Sequence, residues 1–138
     1  MSDDLTASDI AGRIEALYGA PLADLEAYAQ TQPPGMLSAL LGMHEDVSRA
    51  ERSITFHRDH LARLVDPERQ IRPHDVAHLH DGVRRLAEAV AVRDVQATSV
   101  TAVLQSLARV PAPTTGLPAP SVPAPVPPRA APEPAHSR

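Results

Sequence analysis

The sequence predicts an all-α protein, and three observations support this prediction. Apolar residues recur at helical three- and four-residue spacing across residues 35–110, with one short Pro-containing break. Two shorter stretches of the same spacing precede them, each ended by Gly or Pro. Residues 111–138 contain ten Pro, a residue that disrupts both helix and sheet. We predict two short N-terminal helices, then a long antiparallel, coiled-coil-like helical hairpin, then a disordered Pro-rich tail.

The predicted N-terminal helices, hairpin and tail differ in charge. Residues 1–34 form an acidic N-terminal segment with six acidic residues and one Arg, whereas residues 35–110 hold ten of each. Residues 111–138 form the Pro/Ala-rich tail, which carries two Arg and one Glu. Proteins that bind nucleic acid usually present a basic face, and no segment offers one. Nucleic acid is therefore not an expected partner.

The first helix has local start and stop signals. Thr6 and Asp9 have the spacing of a capping box, with Asp in place of the usual Glu. Gly19 supplies a stop after the last residue of the apolar pattern. These signals predict a helix over about residues 7–18.

The second helix is expected over about residues 21–30, with Pro21 in the first helical position. A break at residues 33–35 ends it before the longer helices begin. Two short helices ahead of a longer one also allow an alternative, a small transcriptional regulator with an N-terminal helix-turn-helix-like segment.

The hairpin prediction depends on two apolar seams whose members alternate steps of three and four residues. The first consists of Met36, Leu40, Met43, Val47, Ala50, Ile54, His57, Leu61 and Leu64. The second consists of Val76, Leu79, Val83, Leu86, Val90, Arg93, Ala97, Val100, Leu104 and Leu107. A short connection with two Pro makes the two helices antiparallel neighbours.

Within these seams we predict ten residues as the interaction seam. They are Leu40, Val47, Ile54, His57, Leu61, Val83, Leu86, Val90, Arg93 and Leu104. The stretch 90–101 is rich in β-branched residues, which favour strands, but the heptad spacing continues through it and predicts helix. Acid-before-Arg pairs at i,i+4 lie off the seams and support both helices: Glu45–Arg49, Asp59–Arg63 and Asp81–Arg85.

One seam does not account for all the apolar surface of the hairpin. The remaining apolar residues are Leu37, Leu41, Phe56, Val92, Val95 and Val103. They must be covered by the N-terminal helices, by a second copy of the chain or by another protein. We favour a homodimer in which two hairpins form a four-helix bundle.

Two polar seam residues and a group of His suggest further chemistry. His57, His60 and His80 are the candidates for a metal site near the turn of the hairpin, although solvated surface His are the simpler interpretation. His57 is expected to be a neutral, hydrogen-bonded seam residue, or alternatively a pH-sensitive one. Arg93 has either Asp46 or Glu51 of the facing helix as a partner, or extends to the rim.

Missing residue types exclude several chemistries. The sequence has no Cys and no Lys, which removes disulfides, thiolate nucleophiles, Walker-type phosphate loops and Schiff-base catalysis. No apolar stretch approaches the roughly 18–20 residues of a membrane helix, and the acidic N-terminus does not resemble a signal peptide. We therefore expect a cytoplasmic protein without catalytic residues or a cofactor.

The function that we predict is that of a small non-enzymatic interaction protein. The helical hairpin would bind itself or another helix. The Pro-rich tail would be a solvated spacer that adds reach, or would provide a second contact for a partner that binds Pro motifs. A His-cluster metal-binding protein is the second alternative.

Overall fold

The computed structural model describes residues 5–110, and every regular element in that range is an α-helix. The all-α prediction is therefore confirmed for these residues, and the tail prediction concerns residues outside them. The four helices are α1, Ala7–Tyr18; α2, Leu22–Gln30; α3, Met36–Leu64; and α4, Pro73–Arg109.

Helix α1 begins and ends where the sequence predicts. The Thr6 side chain accepts a hydrogen bond from the backbone N–H of Asp9 (3.2 Å), and the Asp9 carboxylate accepts one from the backbone N–H of Thr6 (3.0 Å). This reciprocal pair satisfies two donors that the first helical turn leaves free. At the other end Gly19 takes the left-handed conformation (φ 71°) and donates its N–H to the Glu15 carbonyl. Residues with a Cβ rarely adopt this conformation, which explains Gly at the stop.

Helix α2 starts one residue later than predicted. Pro21 is the N-cap and not the first helical residue, and its carbonyl accepts the N–H of Leu25 at 3.1 Å. The Glu15 carboxylate of α1 accepts the N–H of Leu22 at 2.9 Å. A side chain of the preceding helix thus satisfies a free donor at the start of α2, in place of a local cap.

The β-branched stretch of α4 is helical, as the spacing predicts. Two of its hydroxyls bond back to the preceding turn: Ser99 Oγ donates to the Val95 carbonyl at 2.9 Å, and Thr101 Oγ1 donates to the Ala97 carbonyl at 2.6 Å. These bonds satisfy the hydroxyls inside the helix. The intrinsic β preference is outweighed by burial, because Val100, between these two residues, is fully buried.

Helices α3 and α4 make the most extensive helix–helix contact in the described chain, and α1 packs on both of them. The buried core brings together Leu40 and Val47 of α3 with Val100 and Leu104 of α4. Leu61, near the end of α3, lies against Gly82, near the start of α4. We call the first region the base and the second region, where α3 leads into α4, the tip.

Helix α1 completes the core at the base. Ile10 and Ile14 are fully buried there, and Leu25 of α2 is nearly so. Burying an aliphatic side chain of this size stabilises a fold by about 1.5–3 kcal/mol, so these residues are a principal source of stability. The N-terminal helices are therefore an integral layer of the fold.

Candidate functional site

Along α3, the residues of the predicted seam differ in burial. Leu40 and Val47 are fully buried, whereas Ile54, His57 and Leu61 are partly buried. Burial is thus complete at Leu40 and Val47, partial from Ile54 to Leu61, and nearly complete again at Leu64, which is 5% exposed.

Along α4, the predicted seam needs a correction. Leu104 is buried, and Leu86, Val90 and Arg93 are partly buried, but Val83 is 57% exposed. The prediction that Val83 lies in the contact between the helices is therefore wrong. Its neighbour Gly82 occupies that contact and is buried.

The Gly82 contact shows why a small residue lies there. A Cβ added at Gly82 would lie 2.9 Å from Cδ2 and 3.4 Å from Cγ of Leu61. The first distance is shorter than van der Waals contact between carbon atoms, which is about 3.5–4.0 Å. Gly82 therefore allows α4 to approach α3 closely at the tip, and Val83, at the next position, is turned toward solvent.

Helix α1 covers the α3–α4 pair only as far as the middle of α3. The Glu51 carboxylate accepts the backbone N–H of Ala7, the first residue of α1, at 2.9 Å. The two α3 members of the buried cluster, Leu40 and Val47, lie on the base side of this point, and Leu37, Leu41 and Val103 pack against that cluster. We predicted that apolar residues outside the seams must be covered. These three residues are covered, because they pack against the core at the base.

On the tip side of Glu51 apolar side chains remain exposed. We call Val65, Ile71, Val76 and Val83 the tip patch; their exposed fractions are 53%, 51%, 44% and 57%. Phe56, Val92 and Val95 are also exposed, at 61%, 49% and 64%, elsewhere on α3 and α4. Val65 is the C-cap of α3, Ile71 lies in the connection, and Val76 and Val83 lie in the first three turns of α4, so the tip patch belongs to the tip end of the α3–α4 pair.

The His candidates do not form a metal centre in the described part of the chain, where no group of three or more His, Cys, Asp or Glu is placed to hold a metal ion. His57 and His60 lie beside Phe56. The centroid of the Phe56 ring is 5.2 Å from that of His57 and 6.3 Å from that of His60. His80 is exposed on α4. The two α3 imidazoles thus pack against an aromatic ring.

Arg93 pairs with an acid of its own helix. Its Nε and a terminal guanidinium nitrogen contact the Asp94 carboxylate at 2.9 Å and 2.8 Å. The predicted partners, Asp46 and Glu51, bind Arg49 and the Ala7 N–H respectively. Because the Arg93 side chain keeps 28% of its surface exposed, its charge remains partly hydrated, as expected for an Arg that extends to the rim.

A carboxylate at the start of α4 is the most buried polar group of the described residues, and its role was not predicted from the sequence. Asp75 is 2% exposed and accepts the Arg72 backbone N–H at 2.9 Å and a guanidinium N–H of Arg69 at 2.8 Å. The Arg72 backbone bond, the Arg69 charge and nearby His74 hold the pKa of the Asp75 carboxyl below its usual value. Pro73 at the first helical position with an acid two residues later was the available sequence signal.

Other carboxylates are also paired with cations. Of the predicted i,i+4 pairs, Glu45–Arg49 is present at 3.7 Å and Asp81–Arg85 at 2.8 Å. Arg84 also contacts Asp81, at 2.9 Å, and its hydrogen bond lowers the pKa of the Asp81 carboxyl. The Asp59–Arg63 pair is not among the contacts within 4.0 Å in residues 5–110.

Comparison with protein families, with curated proteins and with solved structures finds no match to this chain. Among residues 5–110, no helix combines the length and the apolar character needed to span a membrane.

Proposed function

We propose that this chain is a non-enzymatic protein-interaction protein of the cytoplasm, in which α3 and α4 form an antiparallel, coiled-coil-like helical hairpin that dimerises through its tip. The observation that carries the proposal is the tip patch, four large apolar side chains that are each at least 44% exposed. Apolar clusters exposed on one surface mark interaction sites more often than single exposed residues do.

Uneven packing along the hairpin supports this location. All members of the buried cluster, including Ile10, Leu40 and Leu104, come from the base. At the tip only two helices pack together, and isolated pairs of helices bury too little surface to be stable without further cover. A second layer over the tip would supply what α1 supplies at the base.

The balance of charge favours a second copy of the chain as the partner that covers the tip patch. Residues 35–110 hold equal numbers of acidic and basic side chains, so two copies meet without net repulsion. Pairs such as Arg84–Glu88 alternate the sign of charge along the exposed faces (2.9 Å). A two-fold interface uses the same surface on both subunits and requires this kind of self-complementarity.

The state of the carboxylates supports a binding role. Hydrogen bonds and Arg charges lower the pKa values of Asp75 and Asp81, and Thr6 lowers that of Asp9. A general acid working near neutral pH needs the opposite shift, a raised pKa. Asp75 and Asp81 are therefore suited to structural ion pairs, and Asp9 to a helix cap.

Sedimentation equilibrium at micromolar concentration tests the dimer. We expect the full chain to sediment as a dimer and Val83→Glu to weaken association at least tenfold, because it places a charge in the tip patch. Val95→Glu is the matched control, since Val95 is on the same helix and equally exposed but lies twelve residues away, about 120° around the helix axis. A wild-type chain that is folded and monomeric at these concentrations would refute the proposal.

A further inference from the structure

A groove at the base of the fold contains both tyrosines of the chain. Tyr18 at the end of α1 and Tyr28 on α2 line it together with Pro33 and with Met36 and Leu37 at the start of α3. Its volume is about 490 Å³. Tyr28 is 58% exposed and Met36 50% exposed, so the groove is open to solvent and mainly apolar.

Such a groove suits a Pro-rich peptide. A polyproline II segment has no internal hydrogen bonds, so its carbonyls are free to accept bonds from side chains. Aromatic rings pack against Pro rings, and a Tyr hydroxyl adds a donor next to each ring. Tyr18 and Tyr28 supply both elements.

The chain's own tail begins at the same end of the molecule. Leu104 and Ala108, in the last turns of α4, share a small cavity of about 370 Å³ with Ala16 and Leu17 of α1. Leu17 directly precedes Tyr18, so the end of α4 lies beside the end of α1 that leads into the groove.

The tail is long enough and contains a suitable segment. Residues 125–129 read Pro-Val-Pro-Pro-Arg. The fourteen residues between Val110 and Pro125 can span at most about 43 Å, at the polyproline II rise of about 3.1 Å per residue. The charge of Arg129, which ends the segment, is matched by Asp24, an exposed carboxylate one helical turn before Tyr28 on the same face of α2.

We propose that the groove between Tyr18 and Tyr28 binds residues 125–129 of the same chain. Tethering gives the segment an effective concentration of about 1 mM, so an intrinsic dissociation constant of about 100 µM leaves it docked about nine-tenths of the time. Docking in cis occupies both the groove and the Pro motif. A partner that binds the groove, or one that binds the Pro motif, must therefore displace this intramolecular contact. This proposal does not depend on the dimer, which uses the opposite end of the fold.

The two tyrosines give a direct signal, because the chain has no Trp and its only other Phe, Tyr or Trp ring is Phe56. We would compare the full chain with a full-length variant in which Pro125, Pro127 and Pro128 are all changed to Ala. In this variant we expect the Tyr28 ring resonances to shift and acrylamide quenching of tyrosine emission to increase about twofold. A matched control changes Pro118, Pro120 and Pro123 to Ala, outside the segment, and should leave both signals as in the wild type.

A synthetic peptide covering residues 123–131 measures the competition. We expect it to bind the Pro125/Pro127/Pro128 variant about tenfold more tightly than the wild-type chain, since the cis segment no longer competes. Tyr28→Ala should abolish peptide binding, and Phe56→Ala should not. Far-UV circular dichroism checks the fold of each variant, and Tyr28→Phe, which keeps the ring, should bind more weakly but measurably.

Three results would overturn the proposal. Equal peptide affinity for the wild type and the segment variant would mean that the groove accepts Pro-rich peptides only in trans. Tyrosine quenching that depends on protein concentration and not on the Pro substitutions would mean that a second copy covers the groove. Identical Tyr28 resonances in all variants, with no saturable peptide binding, would mean that the groove does not bind this segment.

Discussion

The close contact between Gly82 and Leu61 makes a quantitative prediction about two glycines. Gly42 of α3 and Gly82 of α4 both lie inside long helices, where Gly is less favourable than Ala by about 0.8–1.0 kcal/mol. A Cβ at Gly42 would have no neighbour within 4 Å, whereas a Cβ at Gly82 would lie 2.9 Å from Leu61 Cδ2. The same substitution should therefore have different effects at the two sites.

We expect Gly42→Ala to raise the free energy of unfolding by about 0.8–1 kcal/mol, the full difference in helix propensity. Gly82→Ala should gain less than half of this or lose stability, because Leu61 must move to admit the methyl group. Gly82→Leu, which overfills the contact, should cost about 1–3 kcal/mol. In a domain of about 100 residues each kcal/mol corresponds to a shift of about 4–8 °C in Tm, so thermal unfolding followed by circular dichroism resolves these differences.

A second substitution identifies the cause. Leu61→Ala removes the atoms that Gly82→Ala would meet, so in that background Gly82→Ala should recover the gain seen at Gly42. The coupling between the two positions should be about 0.5 kcal/mol or more, the range found for residues in contact. Equal stabilisation by Gly42→Ala and Gly82→Ala in the wild-type background would refute the close approach of α3 and α4 at the tip.

Two further predictions concern the core and the start of α4. Leu40→Ala should lower the free energy of unfolding by about 2–5 kcal/mol in urea titrations, because Leu40 is fully buried, and Val95→Ala, at a 64% exposed site, should stay within about 0.5 kcal/mol of the wild type. The lowered pKa of Asp75 contributes stability that is present above the unfolded-state value near 3.8 and is lost as the pH falls through the folded-state pKa. Asp75→Asn should therefore be less stable than the wild type at pH 7, and the difference in the free energy of unfolding should shrink on acidification. An undiminished difference at pH 2–3 would contradict this prediction. Asp59→Asn is the control.

Local chemistry made the helix boundaries predictable. The Thr6–Asp9 capping box and Gly19 act over three or four residues of chain, so they can be identified without knowledge of the fold. The Asp75 interactions were harder to foresee, since they depend on how the connection folds back so that Arg69, six residues away, reaches the carboxylate. Coverage of Leu37 by the N-terminal helices is a tertiary contact, which residue spacing within one helix does not encode.

The error at Val83 follows from the number of residues per turn of an α-helix. Val76, Val83, Val90, Ala97 and Leu104 repeat every seven residues, but an α-helix has 3.6 residues per turn, so such a stripe rotates about 20° per heptad around the axis. Over the four heptads from Val76 to Leu104 the rotation amounts to roughly 80°. The stripe is accordingly buried at the base, where Leu104 is 5% exposed, and turns outward at the tip.

This rotation also explains why the tip patch lies where it does. The stripe that contributes Leu104 to the core beneath α1 is the same stripe that contributes Val76 and Val83 to the exposed surface. A helix packed on the tip would therefore extend the apolar layer that α1 forms at the base. Because Gly82 keeps α3 and α4 close together there, the two helices cannot bury Val83 between them without separating. Covering the patch thus requires a helix from outside this pair, which is the role that the proposed dimer gives to a second copy of the chain.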